Sequence, residues 1–252
     1  MSHLEKLQEW LSSNNYQIGY VSDYKNIQYY TGFASDPVER TLALLVFADQ
    51  DPFIFAPALE VEAVKEIGWK YPVYGYLDHE NPYEIIKHQV LQRIKAPVRW
   101  AIEKNNLNVA RFEQLHEKFP QAEFNGNLTP VIERERLIKT PAEIEKLKIA
   151  GKWADFAFKV GFNALSTHRT EQDVVAEIEY ALKKKGITHT SFDTIVQSGT
   201  NAAEPHGAPK PDYIQKNKLT LFDRGVVFQG YISDASRTVA FGDIDQKPKD
   251  IC

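Results

Sequence analysis

Apolar residues recur along this chain with two different periods, and the switches between them mark its elements. Leu4, Leu7 and Leu11 fall at helical spacing behind Ser2 and Glu5, an S-x-x-E capping pattern, so a first helix is predicted over 3–14. Short runs rich in β-branched and aromatic residues then alternate with amphipathic stretches. Ile18–Val21, Thr41–Ala48, Phe53–Ala56, Val73–Tyr76, Val98–Glu103 and Ala122–Asn125 read as strands, and Leu59–Ile67, Tyr83–Ile94 and Val109–Phe119 as helices. Asp49-Gln50-Asp51-Pro52 separates two apolar runs as a hairpin connection would, while the other alternations imply a mixed sheet flanked by helices. An α/β domain ending near residue 125 follows.

The pattern breaks at Asn125-Gly126-Asn127-Leu128-Thr129-Pro130, which is rich in turn formers, and Val131–Ile138 reads as a short connecting helix. Thr140-Pro141-Ala142-Glu143 combines an N-cap, proline at the first helical position and a capping-box glutamate. The helix it starts is predicted from 141 to about 162, with Ile144, Leu147, Ala150, Ala154 and Phe158 on one face. A second helix is predicted from Thr170 to Lys185, stopped by Gly186, then a strand over Phe192–Gln197 and a loop through 201–211. The organisation expected is a domain over 1–125, a linker over 126–140 and a second domain over 141–252.

Composition narrows the class. With 43% apolar and 25% charged residues in 252, the chain is globular. A net charge of −4 with mixed signs argues against a nucleic-acid surface, and the basic run Lys183-Lys184-Lys185 sits at a predicted helix end, where cations suit the macrodipole. No stretch approaches eighteen apolar residues and the amphipathic start carries Glu5 and Glu9, so no membrane partner is expected and the cytoplasm is the default compartment. The single cysteine, Cys252, excludes an internal disulfide and has no fixed base around it to make it a nucleophile.

The candidate chemistry lies in Leu219-Thr-Leu-Phe-Asp223-Arg-Gly-Val-Val-Phe-Gln-Gly230-Tyr-Ile-Ser-Asp234, where two carboxylates interrupt strand-like runs. A charge in a half-buried sheet needs a cation or hydrogen bonds to offset its desolvation. If Gln229-Gly230 is a two-residue hairpin turn, Phe228 pairs with Tyr231, Asp223 faces Ser236 and Asp234 faces Gly225. Both aspartates then share one face as diagonal neighbours, within reach of one ion or ion pair.

Asp223-Arg-Gly225 followed by Ser233-Asp234-Ala-Ser-Arg-Thr238 resembles the metal-binding hairpin of the Xaa-Pro peptidases, the prolidase and aminopeptidase P branch of the pita-bread metallopeptidases. Three further stretches agree in order: Arg136 to Gly151 around Thr140-Pro141, Ser191 to Gly199, and Asn201-Ala-Ala-Glu-Pro-His206-Gly207. The likeness implies a creatinase/prolidase-like N-terminal domain followed by the first part of an α+β pita-bread domain. It also implies hydrolysis of the bond before proline in a proline-containing dipeptide or peptide, by a hydroxide shared between two divalent ions, manganese foremost, with cobalt or zinc as substitutes. Asp223 and Asp234 are carried over as metal ligands, and His206 as a catalytic group that contacts substrate.

The resemblance further implies a histidine and two glutamates later in the chain as the remaining ligands, and nothing up to Cys252 matches them. Weakly held metal and little or no peptidase turnover are therefore expected of this chain alone. The alternative is a non-catalytic relative acting as a dimerisation or binding module. Relatives form homodimers whose N-terminal domains lend a loop to the partner, which makes Ser35-Asp36-Pro-Val-Glu39-Arg40 a lesser candidate. Arg224 departs from the apolar or aromatic residue that relatives carry there. It should point away from the face of Asp223, at a cost if that side packs into a core. His3, His79, His88, His116, His168 and His189 lie singly and read as surface residues.

Overall fold

A computed structural model describes residues 2–205 and 207–244. Two compact units make it up, Met1–Ile138 and Lys139–Cys252.

The first unit is built on α1 (His3–Ser13), β1 (Ile18–Val21), α2 (Tyr24–Thr31), β2 (Ala43–Phe47), β3 (Phe53–Pro57), α3 (Val61–Glu66), β4 (Val73–Tyr76), α4 (Pro82–Arg93), β5 (Arg99–Ile102), α5 (Val109–Lys118), β6 (Glu123–Asn127) and α6 (Thr129–Leu137). Its sheet has the order β4-β3-β2-β1-β5-β6, antiparallel between β1, β2 and β3 and parallel elsewhere. The expected mixed sheet is therefore present. Strand alternation sorts the core into two layers. Leu44, Val46, Ile54 and Val21 pack with Leu4, Leu7 and Leu11 of α1, Ile27 of α2, Val64 of α3 and Ile132 of α6. Leu45, Phe47, Phe53, Phe55 and Trp100 pack on the other side with Tyr83, Ile86 and Val90 of α4 and Leu115 of α5. Leu128 and Ile132, in the segment read as a linker, belong to the first of these layers.

Helix α2 was not foreseen from the chain pattern. Asp23 caps it through Asn26 N at 2.9 Å, and Gly32 ends it at φ 80°. The buried Glu103 carboxylate adds to that cap by accepting hydrogen bonds from Ser22 N and, at 2.7 Å, Asp23 N.

The second unit holds α7 (Pro141–Ala164), α8 (Glu171–Lys184), β7 (Ile195–Ser198), a 3-10 turn (Gly199–Ala203), β8 (Lys218–Arg224), β9 (Val227–Phe228), β10 (Tyr231–Ile232) and β11 (Ala235–Phe241). Thr140 and Glu143 form the expected capping box of α7, and Thr170 with Asp173 forms that of α8. The strands β11-β8-β7 make an antiparallel sheet. Phe222 and Val196 pack against Ala154, Phe158 and Ile178, so both helices cover one face of the sheet.

Candidate active site

The expected hairpin is formed with the expected register. Tyr231 pairs with Phe228 and Ser236 with Asp223. The turn residues Gln229 and Gly230 both have left-handed backbones, φ 49° and 81°, which suits the right-handed twist of the strands they join. Tyr231 Oη donates to Glu143 Oε1 at 2.9 Å, tying the turn to the first helical turn of α7. Lys146 lies 5.0 Å from the Tyr231 ring centroid.

Between the strands the chain passes through Gly225, where only glycine fits. A Cβ there would collide with Ser191 Oγ and the Ser233 carbonyl oxygen. Ser191 Oγ donates to that carbonyl at 3.1 Å, and Val226 N donates to Ser233 Oγ at 3.0 Å. Asp223 lies on the face away from Phe222 and the helices, and Asp234, between β10 and β11, keeps the register parity that the two ladders share on either side of this crossing.

Asp223 is half-buried and Asp234 exposed. Among the described residues, Asp223 Oδ1 is buried without a hydrogen-bond partner, as are Gln197 Oε1 on β7 and Asn201 Oδ1 in the 3-10 turn. Gln197 pairs with Leu221 and Ile195 with Asp223, so Gln197 is a diagonal neighbour of Asp223 on the same face. Buried acceptors lacking donors are what a cation or a hydrogen-bond-donating ligand would satisfy, so the carboxylate fits a divalent ion. Among the described residues, no group of three or more His, Cys, Asp or Glu is arranged to hold a metal.

His206 lies outside the described residues. Cys252 does too. On either side of His206, Gly207 N donates to Glu204 O at 3.1 Å and Gln197 Nε2 donates to the same carbonyl at 3.2 Å. Gln197 and Glu171, which hold this region, carried no sequence signal. Each is one polar residue in an otherwise ordinary strand or helix start. His79, His88, His116, His168 and His189 are exposed, while His3 is half-buried, with its Nδ1 2.8 Å from Tyr29 Oη. In the Ser35–Arg40 loop, Arg40 makes a two-pronged ion pair with Asp78 at 3.0 and 3.1 Å.

Arg224 does point away from Asp223 and is fully buried. Its Nε, Nη1 and Nη2 have no hydrogen-bond partners among the described residues. Burial pulls its pKa down to about 10, against a weaker opposing pull from Glu179.

The Creatinase/Prolidase N-terminal domain family matches residues 3–138, and Metallopeptidase family M24 matches residues 145–252. The Xaa-Pro dipeptidase of Lactobacillus helveticus is 50% identical over 250 residues, covering 99% of this chain and 68% of that protein. The crystal structure of the prolidase from Pyrococcus horikoshii OT3 superposes with a TM-score of 0.86 at 28% identity, over 98% of this chain and 67% of that one. The N-terminal domain of Xaa-Pro dipeptidase from Lactobacillus brevis is 53% identical over 53% of this chain and 99% of that one, with a TM-score of 0.52. No helix among the described residues is long and apolar enough to cross a membrane. With both domain types in order and a half-identical relative along nearly its whole length, the chain belongs to the prolidase branch of the M24 metallopeptidases.

Proposed function

We propose that this chain carries the first metal-binding limb of an Xaa-Pro dipeptidase, with Asp223 and Asp234 as oxygen ligands to divalent ions. The supporting observation is the buried, donorless Oδ1 of Asp223 on a hairpin whose register gives Asp234 the same face. Hard carboxylate oxygens suit manganese, with cobalt or zinc as substitutes. When bound, such ions supply Lewis-acid polarisation of a carbonyl and lower the pKa of water. The chain's own residues would do the rest: Asp223 and Asp234 hold the ions, and His206, carried over from the Pro-His-Gly motif, donates a hydrogen bond to the reacting carbonyl oxygen as charge develops on it. Proline-containing dipeptides are the proposed substrates. Their X–Pro bond lacks the N–H that other peptidases grip, so recognition must come from a dedicated pocket.

The test is manganese binding to the desalted 252-residue chain, followed by the loss of free-ion paramagnetic resonance signal. Binding should be weak in the wild type and weaker by at least about tenfold in Asp223→Asn and Asp234→Asn. Equal affinity in all three proteins would refute the assignment. Two carboxylates leave an ion largely water-coordinated, so a Leu-Pro assay with added manganese should give little or no turnover. Turnover matching an intact prolidase would overturn that part.

One observation favours a second reading, a non-catalytic dimerisation or binding module: the unpartnered Arg224 guanidinium directly beside Asp223 in β8. Added manganese that binds weakly, and more weakly still in both aspartate variants, supports the enzyme. A stable dimer whose manganese binding neither variant changes supports the module.

A further inference from the structure

Asp234 lies where the chain crosses between two ladders. The β8–β11 ladder ends with Arg224 opposite Ala235 and the β9–β10 ladder with Val227 opposite Ile232, and the register they share sets Val226 opposite Ser233 in the crossing. In a regular hydrogen-bonded antiparallel pair, each residue donates its N–H to the other's carbonyl oxygen. Only half of that exchange is made here. Ser233 N donates to Val226 O at 3.0 Å, but Val226 N donates to the Ser233 side chain, reaching Oγ at 3.0 Å. The Ser233 carbonyl accepts instead from Ser191 Oγ at 3.1 Å.

That exchange of acceptors has a geometric consequence. The Ser233 carbonyl belongs to the rigid peptide unit that leads into Asp234, so tipping it toward Ser191 turns the plane from which Asp234 continues. Val226 is fully buried, and the same turn would leave its N–H without an acceptor had the Ser233 hydroxyl not taken the carbonyl's place. Ser191 is held from its own side. Its N–H donates to Gly225 O at 3.2 Å, Val227 N donates to His189 O at 3.1 Å, and Thr190 bridges Val226. Gly225 leaves the space, since a Cβ there would meet both Ser191 Oγ and Ser233 O. We infer that Ser233 and Ser191 are positioning residues: one hydroxyl replaces the Ser233 carbonyl, the other draws it out, and together they set the backbone direction of Asp234. The inference rests on the reading that Asp234 holds a metal ion, but one of its readouts does not depend on metal.

Ser233→Ala removes the hydroxyl and leaves Val226 N free to reclaim the Ser233 carbonyl. In the folded, metal-free variant the three-bond amide–Hα coupling of Asp234, which reports its φ, should change, whereas Ser233→Thr, which keeps the hydroxyl, should leave it in place. Manganese affinity, followed by the free-ion paramagnetic resonance signal, should fall by about three- to tenfold in Ser233→Ala and return in Ser233→Thr. A hydroxyl that only stabilised the fold would leave the affinity of the folded protein alone. An Asp234 coupling that Ser233→Ala does not move overturns the inference. So does a moved coupling with unchanged manganese affinity when Asp234→Asn weakens binding. If Asp234→Asn leaves binding unchanged, the metal reading itself has failed, and the coupling alone decides whether the two serines position Asp234. Should Ser233→Ala fail to fold, Ser191→Ala releases the same carbonyl while Val226 N keeps its acceptor, and it must move the Asp234 coupling instead. An unmoved coupling there counts equally against the inference.

Discussion

Arg224 is the residue whose chemistry fits its surroundings least. A guanidinium carries five donors, and this one is fully buried with its nitrogens unpartnered among the described residues. Replacing it with methionine, of similar reach, should raise the free energy of unfolding by about 1–4 kcal/mol in urea titrations. The sign of the pH dependence follows from the depressed pKa. The penalty of burying the cation is fully present below pH about 10 and is relieved as pH rises through that value. The advantage of Arg224→Met should therefore be constant at neutral pH and shrink above pH about 10. A less stable methionine variant would mean that the guanidinium has an acceptor after all. At this scale the chain was partly legible. The parity shared by Asp223 and Asp234, and the opposite facing of Arg224, follow from a period of two and one turn. Glu171 and Gln197 were illegible because their meaning lies in partners such as Lys210 and Glu204, which only the fold brings close.

Elements show the same division between local and distant causes. Helices α1, α4, α5, α7 and α8 begin at Ser, Asn or Thr caps that accept from their own first turn, and those of α1 and α7 were read from the sequence as caps. Helix α2 has only Ile27 and Tyr30 as buried positions, and its start leans on Glu103. Nothing within its eight residues announces that support. The β9–β10 turn is likewise local in shape but anchored from afar, through Tyr231 and Glu143. Tyr231→Phe keeps the ring beside Lys146 and the pairing with Phe228, and removes only the hydroxyl. It should cost about 1.5–3 kcal/mol of stability, as a hydrogen bond to a carboxylate does, measured by urea unfolding. A change below about 0.5 kcal/mol would show that α7 does not hold the turn.

At the scale of the molecule, the first unit covers both faces of its sheet with its own helices, and Leu128 and Ile132 complete that cover. The boundary expected near residue 125 came from turn-forming residues, whereas these two side chains extend the packed unit to Ile138. Residues 2–138 expressed alone should therefore unfold in one cooperative step, with circular dichroism and the fluorescence of Trp10, Trp69 and Trp100 changing together. Residues 2–125 should lack that coincidence, having lost the α6 contribution. Equal cooperativity in both fragments would remove α6 from the core.

One consequence of the hairpin reaches beyond this chain. Glycine at 225 is demanded by the crossing of Ser191 and Ser233, a backbone matter that a peptidase and a silent relative share alike. Purifying selection would keep it in both, so sorting active from inactive homologues by sequence should weigh the aspartates and ignore the glycine between them.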